Sequence, residues 1–275
     1  VDWQGSGVTK EFPIPTSGVT QLEFTSYAYG GNGADGISII LSDWDVAPVI
    51  GGAGGSLSYA NHSNNHGFAG GWIGIGIDEY GNFSRASESK LGGIGKTQNS
   101  VAIRGSGSGT SGYKYLAGTK SLEPTINASS EGHSYRLTID TTDTGKAFIS
   151  LERDTLGGTN YKVIIDQFDV LSDANQAGLP SNLRLSLAAS TGGLNNIHEL
   201  SNLVVKGSQC NAVTKLTVNN TPAKVTWNKA EFTIESNQPA PAGGISVDYK
   251  TLDGDALSVS EYILTTGSLT FNEGE

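Results

Sequence analysis

The chain has 275 residues, a formal charge of -10 and no cluster of lysines or arginines. This balance argues against binding to nucleic acid or to anionic lipid, because a phosphate-binding face needs a positive patch. A single cysteine, Cys210, excludes an internal disulfide and a cysteine-based zinc site, and no apolar run approaches the roughly 20 residues that span a bilayer, so we expect no membrane insertion.

The same composition predicts the fold class. Glycine is abundant, with 38 residues, methionine is absent, and only 16% of the residues are charged. Such a profile is typical of many turns and short strands and not of surface helices. We therefore expect an all-β chain, and its length predicts one large domain followed by a smaller one.

The first strands lead into two glycine-rich loops. Alternation over residues 19–28 predicts a strand with one buried face. A glycine-rich segment, 30–36, then opens into the apolar run 37–41, which places Asp35 at the entrance of the next strand. Residues 51–55 read Gly-Gly-Ala-Gly-Gly, a nearly bare backbone that can bring peptide N–H groups to a ligand. No Lys-Ser/Thr pair follows, which argues against a phosphate-binding loop.

A polar turn ends the next apolar alternation. The alternation covers residues 72–77, and the turn reads Asp78-Glu79-Tyr80-Gly81-Asn82-Phe83. A carboxylate, a carbonyl and a carboxamide spaced two residues apart can converge on one side of such a turn. The residues alone leave three partners open: a hard cation, a sugar hydroxyl, or the backbone N–H groups of the turn itself.

The later segments complete the predicted sheets. Alternation predicts antiparallel strands at 100–104, 135–140, 147–152, 161–165 and 183–190. The last strand runs into a second glycine-opened polar loop, 191–200, which holds Gly193 and Leu194. The large domain is expected to span residues 1–207, with a linker at 208–211. Short, closely spaced strands then predict a small second β-sandwich at 212–275.

These loops suggest a binding site. Loops that cluster at one edge of a sandwich commonly form one. An aspartate acceptor at Asp35, an amide at Asn82 and the bare backbone at Gly54 and Gly55 suit vicinal hydroxyl groups, which donate and accept at fixed spacing. Aromatic faces stack on the apolar faces of sugars, and the candidates are Tyr59, Trp72 and Tyr80, with Trp72 the one better suited to the core.

Four ordered motifs resemble those of the legume-type (L-type) lectins, in the branch found in large bacterial surface adhesins. The resemblance covers residues 1–207 and implies a concanavalin-like jelly-roll sandwich that binds carbohydrate without catalysis. It also implies an extracellular location on a bacterial surface, with glycans and neighbouring adhesin modules as partners. The motifs are Ala34-Asp35-Gly36-Ile37, Gly54-Gly55-Ser56-Leu57, Asp78-Glu79-Tyr80-Gly81-Asn82 and the segment 190–200.

The resemblance implies roles for individual residues. A saccharide would be bound by Asp35, after a cis peptide bond from Ala34, and by Asn82, with Gly54 and the Gly55 N–H alongside. Gly193 and Leu194 would lie in the loop that tunes specificity.

A metal site is implied in part. The calcium ligands of the family map onto Asp78, the Tyr80 carbonyl and Asn82, with Glu88 a further candidate. Gly76 stands where the plant proteins have a manganese-binding glutamate, so manganese is not expected.

Residues 212–275 resemble a Calx-β module. The pattern of that module continues for another strand beyond Glu275, so we expect a truncated copy. In that family acidic residues bind calcium between neighbouring modules, which implies Glu235, Asp253 and Glu275 as candidates. Surface carboxylates without a specific role are the alternative.

Two further functions compete with sugar binding. A glycoside hydrolase or lyase needs two carboxyl groups about 5–9.5 Å apart. The adjacent pair Asp78 and Glu79 would point to opposite faces of a strand, and residues 73–77 hold no carboxylate, so we expect no enzyme. A structural spacer or a protein-binding module of an adhesin is the third hypothesis, and the sequence leaves a protein ligand open.

Overall fold

The computed structural model describes residues 4–10, 13–127, 129–207, 216–218, 234–236, 244–250, 263 and 265–272. The chain divides into two compact units, Val1–Lys206 and Gly207–Glu275. Regular structure in the described residues consists of strands and two short 3-10 turns, and none of their helices is long and apolar enough to cross a membrane. The predicted all-β class is therefore confirmed.

One layer of the first unit is an antiparallel sheet of seven strands. They are Gly5–Thr9 (β1), Ile14–Pro15 (β2), Gly36–Asp43 (β4), Gly71–Asp78 (β5), Ser100–Arg104 (β6), Tyr115–Gly118 (β9) and Asn182–Ser190 (β13). Their order is β1-β13-β4-β5-β6-β9, with β2 beside β13. Strands distant in sequence are thus neighbours, and the ends of β4, β5 and β13 lie side by side: Gly36 pairs with both Asp78 and Ser190.

The other layer is an antiparallel sheet of five strands. They are Val19–Tyr29 (β3), Ser129–Asp140 (β10), Phe148–Asp154 (β11), Lys162–Asp169 (β12) and Ile197–Gly207 (β14). Their order is β12-β11-β10-β3-β14. Three smaller elements complete the unit: the hairpin of Gly107–Ser108 (β7) and Ser111–Gly112 (β8), and the 3-10 turns Gly54–Ser56 and Val170–Ser172.

The main core lies between these two sheets. Leu22 and Phe24 of β3 belong to the same buried apolar cluster as Ile39 of β4 and Ile75 of β5. Period-2 alternation in each strand produces this arrangement, because it directs one apolar face inward. Trp72 also belongs to this cluster, so its predicted place in the core is correct and it does not flank the loop site.

A second apolar cluster covers the opposite face of the seven-stranded sheet. It includes Tyr59 and Phe83, which come from the loops after β4 and β5. Glycine makes this possible, because a Cβ at Gly74 would lie 2.2 Å from the Tyr59 ring and one at Gly76 would lie 2.4 Å from the Phe83 ring. Tyr59 is fully buried here, so its candidacy as a sugar-stacking residue was wrong.

The second unit is described only in part. Its described strands are Leu216–Val218 (β15), Ile234–Ser236 (β16), Ile245–Lys250 (β17) and Thr266–Phe271 (β18). They pair as β15 with β16 and β17 with β18. Glu235 lies in β16, whereas the linker 208–211, Asp253 and Glu275 lie outside the described residues. The Calx-β module and its calcium candidates stay predictions.

A buried histidine couples the first unit to pH. His133 of β10 accepts a hydrogen bond at Nδ1 from Arg153 Nη2, at 2.7 Å. Burial and, second to it, the positive charge of Arg153 lower the pKa of His133 from 6.5 to about 4. The folded chain therefore keeps this imidazole neutral where the unfolded chain protonates it.

We expect stability to fall as the pH drops from about 6.5 towards about 4, because the unfolded state gains a proton at His133 that the folded state lacks. In His133→Asn the side-chain oxygen can still accept from Arg153 but does not titrate. Urea unfolding at pH 7.5 and 4.5 should show the variant losing less stability than the wild type, by on the order of 1 kcal/mol after solvent screening. Equal losses would contradict this.

Candidate functional site

An open cavity of about 220 Å³ lies at the edge of the seven-stranded sheet where β4, β5 and β13 end. The loops before β4 and after β4, β5 and β13 all contribute to its wall. The structure thus brings together all six residues that the sequence predicts as sugar-binding, and it adds Tyr80 and Glu88. The lining residues are Ala34, Asp35, Gly54, Gly55, Tyr80, Asn82, Glu88, Gly192, Gly193 and Leu194.

Asp35 is held rigidly by its backbone. The peptide bond between Ala34 and Asp35 is cis. The backbone N–H of Asp35 donates to the Ser190 carbonyl at 3.1 Å, and the Asp35 carbonyl accepts from Glu79 N at 3.0 Å. The side chain is buried, and Oδ2 has no hydrogen-bond partner among the described residues. Burial and, second to it, the charge of Glu88 raise the pKa of Asp35 to about 6.

Asn82 lies directly against the glycine turn. A Cβ at Gly55 would come within 2.2 Å of the Asn82 Cβ, so only glycine permits this approach. The turn is anchored from β13, because Ser190 Oγ donates to the Gly54 carbonyl at 2.8 Å. Asn82 Oδ1 is buried and, within the described part of the chain, has no hydrogen-bond partner. The cavity wall therefore holds a second unpaired oxygen besides that of Asp35.

Asp78 organises the turn that carries Asn82. Its Oδ1 accepts from Gly81 N and its Oδ2 from Phe83 N, both at 2.7 Å. The residue is fully buried, and burial raises its pKa to about 7 although both backbone hydrogen bonds act in the opposite direction. Of the three partners that the sequence leaves open for this turn, its own backbone is the one that Asp78 bonds.

Glu79 joins the turn to the late loop. Its carboxylate accepts from Asn196 Nδ2 at 2.7 Å and contacts His198 Nε2. Asn196 Oδ1 in turn accepts from Gly31 N at 2.8 Å. Because Glu79 and the His198 side chain are almost fully buried, this network is structural, and it fixes the loop that brings Gly193 and Leu194 to the cavity.

Arg104 of β6 is a buried cation that the sequence interpretation missed. Its guanidinium uses all five N–H donors on backbone carbonyls, and it thereby fixes the segment 83–92. The sequence does hold a signal for this position: Arg104 lies two residues after Ala102 on a strand, so both are on the face of the second apolar cluster. The carbonyls belong to Phe83 (2.8 Å), Arg85 (3.0 Å), Leu91 (3.0 Å), Gly92 (3.2 Å) and Tyr113 (2.7 Å).

The residues do not fit a calcium ion. Calcium takes about 6–8 oxygen ligands. Both carboxylate oxygens of Asp78 already accept backbone N–H groups, and Glu88 Oε2 contacts the ammonium of Lys90. Among the side-chain ligands implied for calcium, Asn82 Oδ1 is an oxygen that is left unpaired. No group of three or more His, Cys, Asp or Glu residues that could hold a metal occurs among the residues described.

Comparison with known proteins finds similarity only at the level of solved structures. No protein-family model and no curated protein matches the chain. The exoplasmic/lumenal domain of VIP36 in its Ca²⁺/Man3GlcNAc-bound form is 16% identical, with 85% of this chain and 84% of that chain covered and a TM-score of 0.47. Lectin I-B4 of Griffonia simplicifolia, metal-free, is 17% identical (75% and 82% covered, TM-score 0.47).

A third similar structure is the carbohydrate recognition domain of Emp46p in its potassium-bound form, 15% identical, with 74% of this chain and 78% of that chain covered and a TM-score of 0.49. These neighbours are L-type lectin domains. All three TM-scores are below 0.5 and all three identities are below 20%, so the function has to be argued from the site itself.

Proposed function

We propose that residues 1–207 form a non-catalytic carbohydrate-binding domain whose ligand occupies the cavity beside Asp35. One observation carries this proposal: two side-chain oxygens of the cavity wall, Asp35 Oδ2 and Asn82 Oδ1, are buried without a partner in the described structure. A buried acceptor left unpaired costs about 1–3 kcal/mol. Sugar hydroxyl groups are donors at a spacing that can satisfy two such acceptors together.

The rest of the wall suits a sugar ring. Gly54 and Gly55 present backbone without side chains, and a Cβ at Gly193 would meet nothing within 4 Å, so that side of the cavity is open. Leu194 adds apolar surface for the C–H faces of a ring, whereas Lys96 Nζ covers one face of Tyr80, 3.4 Å from the ring centroid. A volume of about 220 Å³ is below the roughly 300–1,000 Å³ of drug-sized pockets, which favours one sugar unit with its neighbours in solvent.

The charge of the wall favours neutral sugars. Asp35 and Glu88 are acidic, and no lysine, arginine or histidine is among the lining residues. An anionic sugar would bring a carboxylate towards this wall and would be repelled. We therefore propose neutral glycans as the ligand class.

A glycan array probed with the purified full chain tests the function, followed by calorimetry on the best ligand and an assay for new reducing ends. We expect binding to neutral glycans in preference to acidic ones and no release of product. Binding to no glycan above the level of an inert control protein would contradict the proposal. Release of reducing ends would favour the hydrolase or lyase alternative.

The wider context is also a proposal. We infer that this domain is displayed by an adhesin on a bacterial surface and is followed by a Calx-β-like module at 212–275. The support is the resemblance of the sequence motifs and a charge of -10, which is compatible with an extracellular protein. Antibodies against the chain should label intact cells of the source organism without permeabilisation. Labelling only after permeabilisation would contradict the location.

A further inference from the structure

A buried lysine lies behind the wall of the cavity. The side chain of Lys90 is 0% exposed, its ammonium contacts the carboxylate of Glu88, and it donates to Ser56 Oγ at 3.3 Å. Glu88 lines the cavity, and Ser56 belongs to the same 3-10 turn as Gly54 and Gly55. Lys90 therefore joins two separate parts of the wall through one positive charge.

The segment around Lys90 is fixed in an uncommon conformation. Glu88 and Ser89 both have left-handed backbone, with φ of 57° and 65°. Backbone contacts hold them there: Ser63 N donates to the Glu88 carbonyl at 2.7 Å, and Asn61 Nδ2 donates to the Ser89 carbonyl at 3.1 Å. Two adjacent residues other than glycine in this region are costly and persist only where the surroundings impose them.

The electrostatic surroundings of Lys90 are those of a bound cation. Burial lowers the pKa of Lys90 overall, and the Glu88 carboxylate acts in the opposite direction. In return, the charge of Lys90 lowers the pKa values of Asp35 and Asp78, although burial raises both overall. An ammonium thus partly neutralises the carboxylates of this edge of the sheet. A divalent ion placed among the same groups would be repelled by it.

We propose that the Lys90 ammonium occupies the structural role of a metal ion in this site, so that the wall is preformed and ligand binding is independent of calcium. Lys90 is then a positioning residue: it holds Glu88 and the glycine turn in place, while Arg104 holds the backbone carbonyls of the same loop. This inference rests on the proposed function, because it takes the ligand to be a glycan. Whether the site binds calcium can nevertheless be tested without any sugar.

The first experiment titrates calcium into the full chain and into Asn82→Ala by calorimetry, after treatment with EDTA. The proposal expects no calcium binding that depends on Asn82. Calcium binding that is equal in both proteins would occur at another place in the chain and would support the proposal. Stoichiometric binding that disappears in Asn82→Ala would overturn it, whether or not a glycan ligand has been found.

The second experiment measures glycan binding by Lys90→Met, Lys90→Arg and a control, Lys120→Met, whose residue is exposed. In EDTA, wild type and the control should bind equally, and Lys90→Met should bind at least about 10-fold more weakly. Lys90→Arg, which keeps the charge, should restore most of this loss. Millimolar calcium should improve glycan binding by Lys90→Met but not by the other proteins. In that variant Glu88 and the neighbouring carboxylates have lost the positive charge of Lys90.

Several results would overturn the proposal: wild-type binding that EDTA abolishes, Lys90→Met that binds as well as wild type, or a loss that neither calcium nor the arginine restores. The last result would show that Lys90 acts only through its packing and not through its charge. If Lys90→Met fails to fold, Lys90→Arg decides the matter. Its retention of binding in EDTA supports the proposal, and its failure to bind while folded contradicts it.

Discussion

Replacing Asp35 by asparagine is expected to weaken glycan binding by about 100-fold. Asparagine has the same shape, but one carboxylate oxygen becomes an N–H₂ donor and the negative charge is lost. Hydrogen bonds to charged groups contribute about 1.5–3 kcal/mol, which corresponds to about 10- to 150-fold in affinity. Oδ2 of Asp35 is buried without a partner in the described structure, so no neighbouring group there offsets the loss of its negative charge.

The same substitution should not destabilise the fold. Burial raises the pKa of Asp35 from 3.8 to about 6, so above pH 6 the folded chain bears the cost of holding this charge. Removing the charge removes that cost, and Asp35→Asn is expected to melt at or above the wild-type temperature at pH 7.5. Weaker binding with unchanged or higher stability is the pattern of a ligand-binding residue, whereas a structural residue would lose both.

Asp43→Asn is the matched control. Asp43 ends β4 at the opposite end of the strand from Asp35, and its Oδ1 accepts from Asp45 N in a local turn. Its replacement should leave affinity within about 2-fold of wild type, which is the spread expected of surface changes. Calorimetry with the best glycan and thermal unfolding of all three proteins check the result. Affinity of Asp35→Asn within 3-fold of wild type would show that the site is assigned wrongly.

Arg104→Met is expected to cost the first unit a large fraction of its stability. Of the five carbonyls, those of Leu91 and Arg85 also accept from a backbone N–H group, whereas those of Phe83, Gly92 and Tyr113 would lose the guanidinium donor. Leaving one buried polar group unpaired costs about 1–3 kcal/mol, so three of them, partly relaxed, give a loss of about 3–5 kcal/mol. That loss is a large fraction of the 5–15 kcal/mol that separates most folded domains from the unfolded state.

Arg85→Met is the control for Arg104→Met, because Arg85 lies on the same loop but its side chain is exposed. Its replacement should change the free energy of unfolding by less than about 0.5 kcal/mol. Urea unfolding followed by tryptophan fluorescence compares both variants with the wild type, and Trp72 in the main core supplies a suitable probe. A loss below about 1 kcal/mol for Arg104→Met would show that the loop does not depend on this cation.

Much of the site could be predicted from the sequence because it consists of loops at strand ends. Glycine-rich or polar loops follow strands at Asp35, Gly54 and Asn82, and neighbouring antiparallel strands bring such ends together. The structure gives the reason at one point: Gly36 pairs with Asp78 on one side and with Ser190 on the other. The aromatic candidates were less predictable, since Tyr59 and Tyr80 both follow strands, but only Tyr80 lines the cavity.

The sequence held little indication of the buried charges: the alternation of Arg104 with Ala102 indicates the face on which Arg104 lies, but not the groups that it bonds. A lysine or arginine in a polar stretch indicates a solvated side chain, because burial of a charge is costly unless it is paired. Lys90 has a partner close in sequence, Glu88, but burial of both cations also depends on distant groups. Lys90 donates to Ser56, 34 residues away, and Arg104 donates to the carbonyl of Phe83, 21 residues away. Such partners are a property of the packed loops and have no local signature.

The sequence by itself determined the all-β class, the position of many of the longer strands and the polar turn at Asp78, since these follow from periodicity and from local turn chemistry. It did not indicate the strands Gly5–Thr9 and Tyr115–Gly118, and the predicted loop 191–200 overlaps the strand Ile197–Gly207. Only the tertiary structure decided which polar groups are left unpaired and which charges are buried. Alternation cannot show that Gly76 makes room for the Phe83 ring. Nor can it show that the cation behind the cavity is an ammonium, because burial, pairing and charge balance are set by contacts between segments far apart in the chain.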